Sequence, residues 1–142
     1  MPDSPVVWAI VVGAGSGTRF GAPKQYEQIG GERIIDRSRR IAEAECDGVV
    51  LVVPAADAER EHGVPGGETR SASVRAGLAA VPADADIVCV HDAARPLATG
   101  DLYRRVIDAV HAGADGAAPA VPVTDPIKVV DDEGAVVATP ER

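Results

Sequence analysis

Apolar and polar residues alternate along the chain in blocks with two distinct periods. Val6 to Val12 is a continuous apolar run stopped by Gly13. Such a run suits a strand covered on both faces, as in a parallel sheet. A glycine-rich loop extends from there to about Tyr26. Ile34, Ile35, Ser38, Ile41 and Ala42 then fall at helical spacing, which predicts a helix from Glu32 to Glu45. Gly48 to Val53 predicts a second buried strand, ended by Pro54. Asp57 to His62 is polar and has no resolvable period.

The second half repeats the alternation. Ser71 to Val81 predicts an amphipathic helix with Val74, Leu78 and Val81 on its inner stripe. Asp86 to Val90 predicts a third strand. Asp101 to Ala112 predicts a helix with Leu102, Val106, Ile107 and Val110 turned inward. Gly116 to Val123 predicts a fourth strand. Ile127–Val130 and Ala135–Ala138 flank Asp131-Asp132-Glu133-Gly134 and predict a β-hairpin. Strands alternating with helices imply an α/β fold with a doubly wound, mostly parallel sheet. Ligands on such sheets bind beyond the carboxyl ends of the strands. The loops after Val12, Val90 and Val123 are therefore the ones to inspect.

Composition narrows the function classes. The 142 residues suffice for one domain with a real core. Aromatics are 3%, so Val, Ile, Leu and Ala must build that core. The net charge of −8 argues against nucleic-acid or anionic-membrane binding, which needs a basic face. No apolar run approaches the roughly 20 residues of a membrane span. The start, Met-Pro-Asp-Ser, has no basic signal-peptide region. Cys46 and Cys89 form no C-x-x-C pair or zinc spacing, and Cys89 is expected in the core. A cytoplasmic, reduced protein is expected.

Three segments carry candidate chemistry. In Gly13-Ala14-Gly15-Ser16-Gly17-Thr18-Arg19, alternating glycines let the backbone approach phosphate oxygens with its N–H groups. The spacing fits neither a dinucleotide fingerprint, which disfavours a dinucleotide-dependent oxidoreductase, nor a P-loop. Two cations follow, Arg19 and Lys24, and Lys24 is one of only two lysines against twelve arginines. They can offset charge developing on a phosphoryl group, or be ordinary surface charges. Gly66-Gly67-Glu68-Thr69-Arg70-Ser71-Ala72-Ser73 enters a predicted helix. Its start can attract an anion, or simply be capped by Ser71 or Thr69. Val90-His91-Asp92-Ala93-Ala94-Arg95-Pro96 gathers a carboxylate and a guanidinium past a strand. Asp92 can bind Mg²⁺ or a hydroxyl and Arg95 a phosphate, or the two can pair and shape a turn. His91 is expected to be packed and hydrogen-bonded.

In this order, Gly-Ser-Gly-Thr-Arg-Phe-Gly…Pro-Lys-Gln-Tyr, Gly-Gly-Glu-Thr-Arg-Ser-Ala-Ser-Val and Val-His-Asp-Ala-Ala-Arg-Pro resemble the 2-C-methyl-D-erythritol 4-phosphate cytidylyltransferase family of the non-mevalonate isoprenoid pathway. The last motif is the most specific. The resemblance implies transfer of a cytidylyl group from CTP to a polyol phosphate, with Mg²⁺ and release of pyrophosphate. It implies that Ala14, Gly15 and Gly17 hold the CTP phosphates. Arg19 and Lys24 would stabilise the transition state. Gly67, Glu68, Arg70 and Ser73 would contact cytosine and ribose. Asp92 and Arg95 would lie at the substrate and metal site. Arg142 would reach a partner subunit's substrate, and residues 124–142 would begin a dimerisation arm, making a homodimer.

Against the family pattern, Gly13 replaces a usual alanine and Glu68 a usual aspartate. Pro126 stands where a threonine commonly contacts the substrate phosphate, and proline offers neither hydroxyl nor N–H. Ribitol 5-phosphate therefore stays open as an alternative acceptor. By the resemblance, the single domain over residues 1–142 is incomplete at its C-terminus, lacking the family's Thr-Pro-Gln segment and a substrate-binding lysine. A nucleotide-binding fragment without turnover is the rival from another class.

Overall fold

The structure, a computed structural model, describes residues 4–15 and 23–141. Its strands and helices, in chain order, are β1 (Val7–Val12), β2 (Gln28–Ile29), β3 (Glu32–Arg33), α1 (Ile34–Glu45), β4 (Gly48–Val53), β5 (Val64–Pro65), α2 (Arg70–Leu78), β6 (Ile87–Asp92), α3 (Gly100–His111), β7 (Val129–Val130) and β8 (Val136–Ala138). Four of the strands form one parallel sheet in the order β5-β4-β1-β6.

The continuous apolar runs become the two inner strands because a central parallel strand is covered on both faces. In β1, Ala9, Ile10 and Val11 are fully buried. One face, with Ala9, Val11, Leu51 and Val53, packs against Ile35 and Ala42 of α1 and Tyr103 of α3. The other, with Ile10, Val50 and Val52, lies under α2. Helices thus cover both faces, as the alternation of periods predicts. The chain moves outward from β1 to β4 on one side and to β6 on the other. The switch point therefore lies at the carboxyl ends of β1 and β6, where Val12 pairs with Asp92.

Several boundaries differ from the sequence reading, each for a physical reason. α1 begins at Ile34, because Glu32 and Arg33 pair with Gln28 and Ile29 across Gly30-Gly31. Both glycines have positive φ, 60° and 83°, as a tight two-residue hairpin turn needs. α2 ends at Leu78, short of Val81, in a turn before Pro82. Its buried residues are Ser73 and Gly77, and Leu78 is exposed. A Cβ at Gly77 would come within 2.5 Å of Ile10 Cγ2, so the helix sits on the sheet through small residues. β6 runs on to Asp92, which puts His91 and Asp92 at the strand's end.

The predicted strand at Gly116–Val123 does not form. That segment pairs with no strand and is exposed throughout. A strand requires a neighbour, and Pro119 and Pro122 remove two of the donors a ladder would use. The predicted hairpin does form: β7 and β8 are antiparallel, and Gly134 takes φ 83° in the turn. The Asp131 carboxylate accepts from the backbone N–H of Ala135 at 2.8 Å and of Glu133 at 3.1 Å. Among the described residues, no helix is long and apolar enough to cross a membrane.

Candidate functional site at the switch point

The carboxyl ends of β1, β4 and β6 bring the three candidate segments together. After β1, the Gly13 N–H donates to the Val52 carbonyl at 2.7 Å, so the chain leaves the sheet hugging β4. Gly15 lies in open space and its carbonyl accepts from Gln25 Nε2 at 3.2 Å. Gln25 is buried and belongs to a 3-10 turn, Lys24–Tyr26, that presents Lys24 at the surface. Gly17, Arg19 and Arg142 lie outside the described residues.

The second segment arrives from β5. The Gly66 N–H donates to the Val53 carbonyl at 2.8 Å. A Cβ at Gly66 would stand 2.2 Å from Ala14 Cβ and 2.9 Å from Ser73 Oγ. The glycine is therefore required for the two loops to touch. Ser73 is buried, and its hydroxyl accepts from the Gly67 N–H at 3.1 Å. Its visible task is to hold the Gly67 loop. Thr69 caps α2 by accepting from Ala72 N–H at 3.0 Å, while Glu68 and Arg70 are exposed. The capping alternative is thus realised by Thr69, and it leaves Arg70 turned toward β6.

The third segment completes the site. Arg70 Nε donates to Asp92 Oδ1 at 2.9 Å, an ion pair between residues 22 positions apart. Arg95 Nε stands 3.5 Å from Asp92 Oδ2. One carboxylate therefore sits between two guanidinia, and the arginine side chains are 61% and 78% exposed. Such open pairs contribute little to stability, so both cations can be offered to an anionic ligand. The Asp92–Arg95 turn pairing also exists, since Arg95 N–H donates to the Asp92 carbonyl at 2.9 Å. His91 is buried with both ring nitrogens engaged, as expected for a packed histidine. From this site a groove of about 690 Å³ runs along the outer edge of β6, between Val88 and Val90 and the segment Gly116–Pro119. Cys46 and Cys89 are free, half-buried thiols against the core.

A further anchor went unrecognised in the sequence. The Tyr26 ring lies 5.7 Å from the Arg33 guanidinium and 5.3 Å from that of Arg60, and its hydroxyl donates to Asp57 at 2.7 Å. Burial, then that hydrogen bond, pushes the phenol up to about 12. Arg33 also grips the buried Glu61 through two bonds of 2.9 Å. This cluster fixes the turn that carries Lys24. Its only sequence trace is the polar stretch Asp57–His62, whose contacts are too distant in sequence to be read from spacing.

The model of the family described as 2-C-methyl-D-erythritol 4-phosphate cytidylyltransferase matches residues 7–142. Among curated relatives, the bifunctional enzyme IspD/IspF of Nitrobacter winogradskyi is 49% identical, covering 100% of this chain and 39% of its own length. The 2-C-methyl-D-erythritol 4-phosphate cytidylyltransferase of Streptomyces coelicolor is 42% identical, covering 94% of this chain and 59% of its own length. Among solved structures, the 4-diphosphocytidyl-2C-methyl-D-erythritol synthase from Anaerococcus prevotii superposes with a TM-score of 0.82 at 27% identity, over 96% of this chain and 64% of that one. A second 4-diphosphocytidyl-2C-methyl-D-erythritol synthase gives 0.74 at 31% identity, over 98% and 70%. The chain thus spans less than two thirds of the length of these curated relatives.

Proposed function

The chain belongs to the 2-C-methyl-D-erythritol 4-phosphate cytidylyltransferase family, and from that premise we propose that it forms the CTP-binding part of an enzyme that cytidylates 2-C-methyl-D-erythritol 4-phosphate. In the reaction, a phosphate oxygen of the acceptor attacks the α-phosphorus of CTP in line. The bond from that phosphorus to the bridging oxygen breaks, and pyrophosphate leaves. The observation that carries this reading is the convergence of Gly13–Gly15, the turn that begins at Lys24, Arg70, Asp92 and Arg95 at one switch point. Backbone N–H groups of the glycine turn would meet the phosphates, Lys24 and Arg19 the charge that grows at the α-phosphate. Gly67 and Glu68 would read the edge of the cytosine, with Ser73 holding their loop and Arg70 beside it.

Mg²⁺ is part of this proposal. Asp92 is a single exposed-edge carboxylate, and among the described residues no group of three or more potential ligands exists. That donor set fits magnesium, which takes one or two carboxylates and completes its shell with water and substrate phosphates. Asp92 would hold the ion, with Arg70 moving to the phosphates, and the bound ion would offset charge on the phosphate oxygens.

The hairpin and Arg142 are assigned to a homodimer. Val129, Val130, Val136 and Val137 are 44–60% exposed, and a two-stranded hairpin alone is marginal in water. A second copy covering this arm would let Arg142 reach the neighbouring site. The setting proposed is cytoplasmic, which suits the two free thiols.

The test is pyrophosphate release with CTP and either polyol phosphate. Release with 2-C-methyl-D-erythritol 4-phosphate supports the reading. Release with ribitol 5-phosphate alone transfers it to the other acceptor. CTP binding without release leaves a nucleotide-binding chain that does not turn over.

A further inference from the structure

The turn that carries Asp92 and Arg95 is held by side chains of α1 and of β6 itself. Three of its carbonyls accept from side chains. Ala93 O accepts from Ser38 Oγ of α1 at 3.0 Å, in the core. Pro96 O accepts from Arg37 Nε of α1 at 2.9 Å. Arg95 O lies 3.0 Å from His91 Nε2. The Ala93 N–H donates to Val12 O at 2.9 Å, tying the turn to β1.

The contact to Arg95 O fixes the chemistry of the imidazole. A carbonyl only accepts, so Nε2 must carry the proton. In the neutral ring Nδ1 is then an acceptor, and its neighbour at 2.7 Å is the Tyr103 hydroxyl of α3, which must donate. Tyr103 is buried, and that burial raises its pKa and keeps the phenol protonated. A one-way chain of hydrogen bonds runs from α3 through Tyr103 and His91 to the backbone of the turn.

We propose that His91 is a positioning residue: held in its Nε2–H form by Tyr103, it fixes the Asp92–Pro96 turn and so aims the Asp92 carboxylate and Arg95 guanidinium at the incoming metal–nucleotide complex. The inference rests on the reading that this carboxylate meets Mg·CTP. The ring has the right shape for the task, since it joins two partners on opposite sides in one rigid plane. A flexible side chain would have to be ordered to do the same.

Glutamine can place an N–H where Nε2 stands, whereas asparagine reaches only as far as Nδ1. The test compares His91→Gln, His91→Asn, Tyr103→Phe and Asp92→Asn by Mg·CTP calorimetry, with ring ¹⁵N shifts of His91 recorded in the unaltered chain. The ring should show Nε2–H, and a ring protonated at Nδ1 overturns the proposal. Asp92→Asn and His91→Asn should each weaken Mg·CTP by about 10-fold or more, the scale for losing the support of a ligand. His91→Gln should stay within about 3-fold of the unaltered chain, a rescue that simple core filling would not produce. If Asp92→Asn weakens binding while His91→Asn and His91→Gln behave alike, the positioning role is wrong. If Asp92→Asn has no effect, the reading of the site fails instead, and the ring shifts still decide the state of His91. Should His91→Asn not fold, Tyr103→Phe keeps the core volume and carries the comparison; binding unchanged in that variant overturns the proposal.

Discussion

Val11 and Val121 are the same side chain in opposite situations: one has no accessible surface, the other is 85% exposed. Val11 lies in a strand paired on both edges and covered by helices on both faces. Val121 lies in a stretch from His111 to Glu141 in which every residue is exposed. Yet Val6–Val12 and Gly116–Val123 are both apolar runs of strand length. The difference is the company each keeps. β1 finds β4, β6, α1 and α2 within the same chain, whereas the later segment finds only one side of a groove beside β6. An apolar run states that a segment gains by burial, at about 25 cal/mol per Å² of apolar surface. It does not state which surface will cover it. The chemistry follows the same division, since each described candidate site residue lies before the exposed stretch begins.

If this contrast is right, substitutions should sort by region. The largest effect belongs to Ile35→Ala, which empties a fully buried position between α1 and the sheet. It should cost about 3 kcal/mol, read from urea unfolding. Gly77→Ala should follow, at about 2 kcal/mol, because its methyl would meet Ile10 Cγ2 at 2.5 Å and Val52 Cγ2 at 2.9 Å. A stability as high as that of the unaltered chain would show that α2 does not pack as closely as described.

The ionic cluster around Tyr26 should come next. Glu61→Gln should cost about 2 kcal/mol near neutral pH, since it leaves Arg33 without a buried partner. The Arg33 hydrogen bonds hold the Glu61 carboxyl below its ordinary value. Its contribution is therefore complete above the unfolded pKa of about 4.3 and is lost as pH falls through the lower folded value. Unfolding curves of the two proteins should converge only in that acid range. A gap that widens on acidification would contradict the assignment. The smallest effect belongs to the exposed region. Val121→Ser and Val136→Ser should each change stability by less than about 0.5 kcal/mol. Sedimentation should then show weaker self-association for Val136→Ser if the hairpin is covered by a second copy.

Much of this organisation was legible in the residues, and the exceptions share a cause. β1, β4, α1, α3 and the terminal hairpin follow from runs and periods that depend on near neighbours. β5 is two residues long and carries no period. The Gly30-Gly31 pair was a usable sign of the β2–β3 hairpin, because two successive positive φ angles suit a two-residue turn. The inner face of α2 escaped because Ser73 and Gly77 pack closely without being hydrophobic. At the site, each motif marked its own loop. The meeting of Arg70 with Asp92, and the support of Asp92's turn by Ser38 and Tyr103, link residues that only the sheet brings together.

The proposed function requires the packed part of this chain to hold a pyrimidine nucleotide around Arg70, Asp92 and Arg95. Calorimetry of this chain with Mg·CTP, Mg·ATP and Mg·GTP decides this, because under that proposal a small base would be read through close backbone contacts near Gly67, where a purine would be poorly placed. CTP should bind more tightly than either purine, and Arg70→Ala should weaken it. Equal affinity for a purine triphosphate, or CTP binding unchanged by Arg70→Ala, would overturn the cytidylyl assignment.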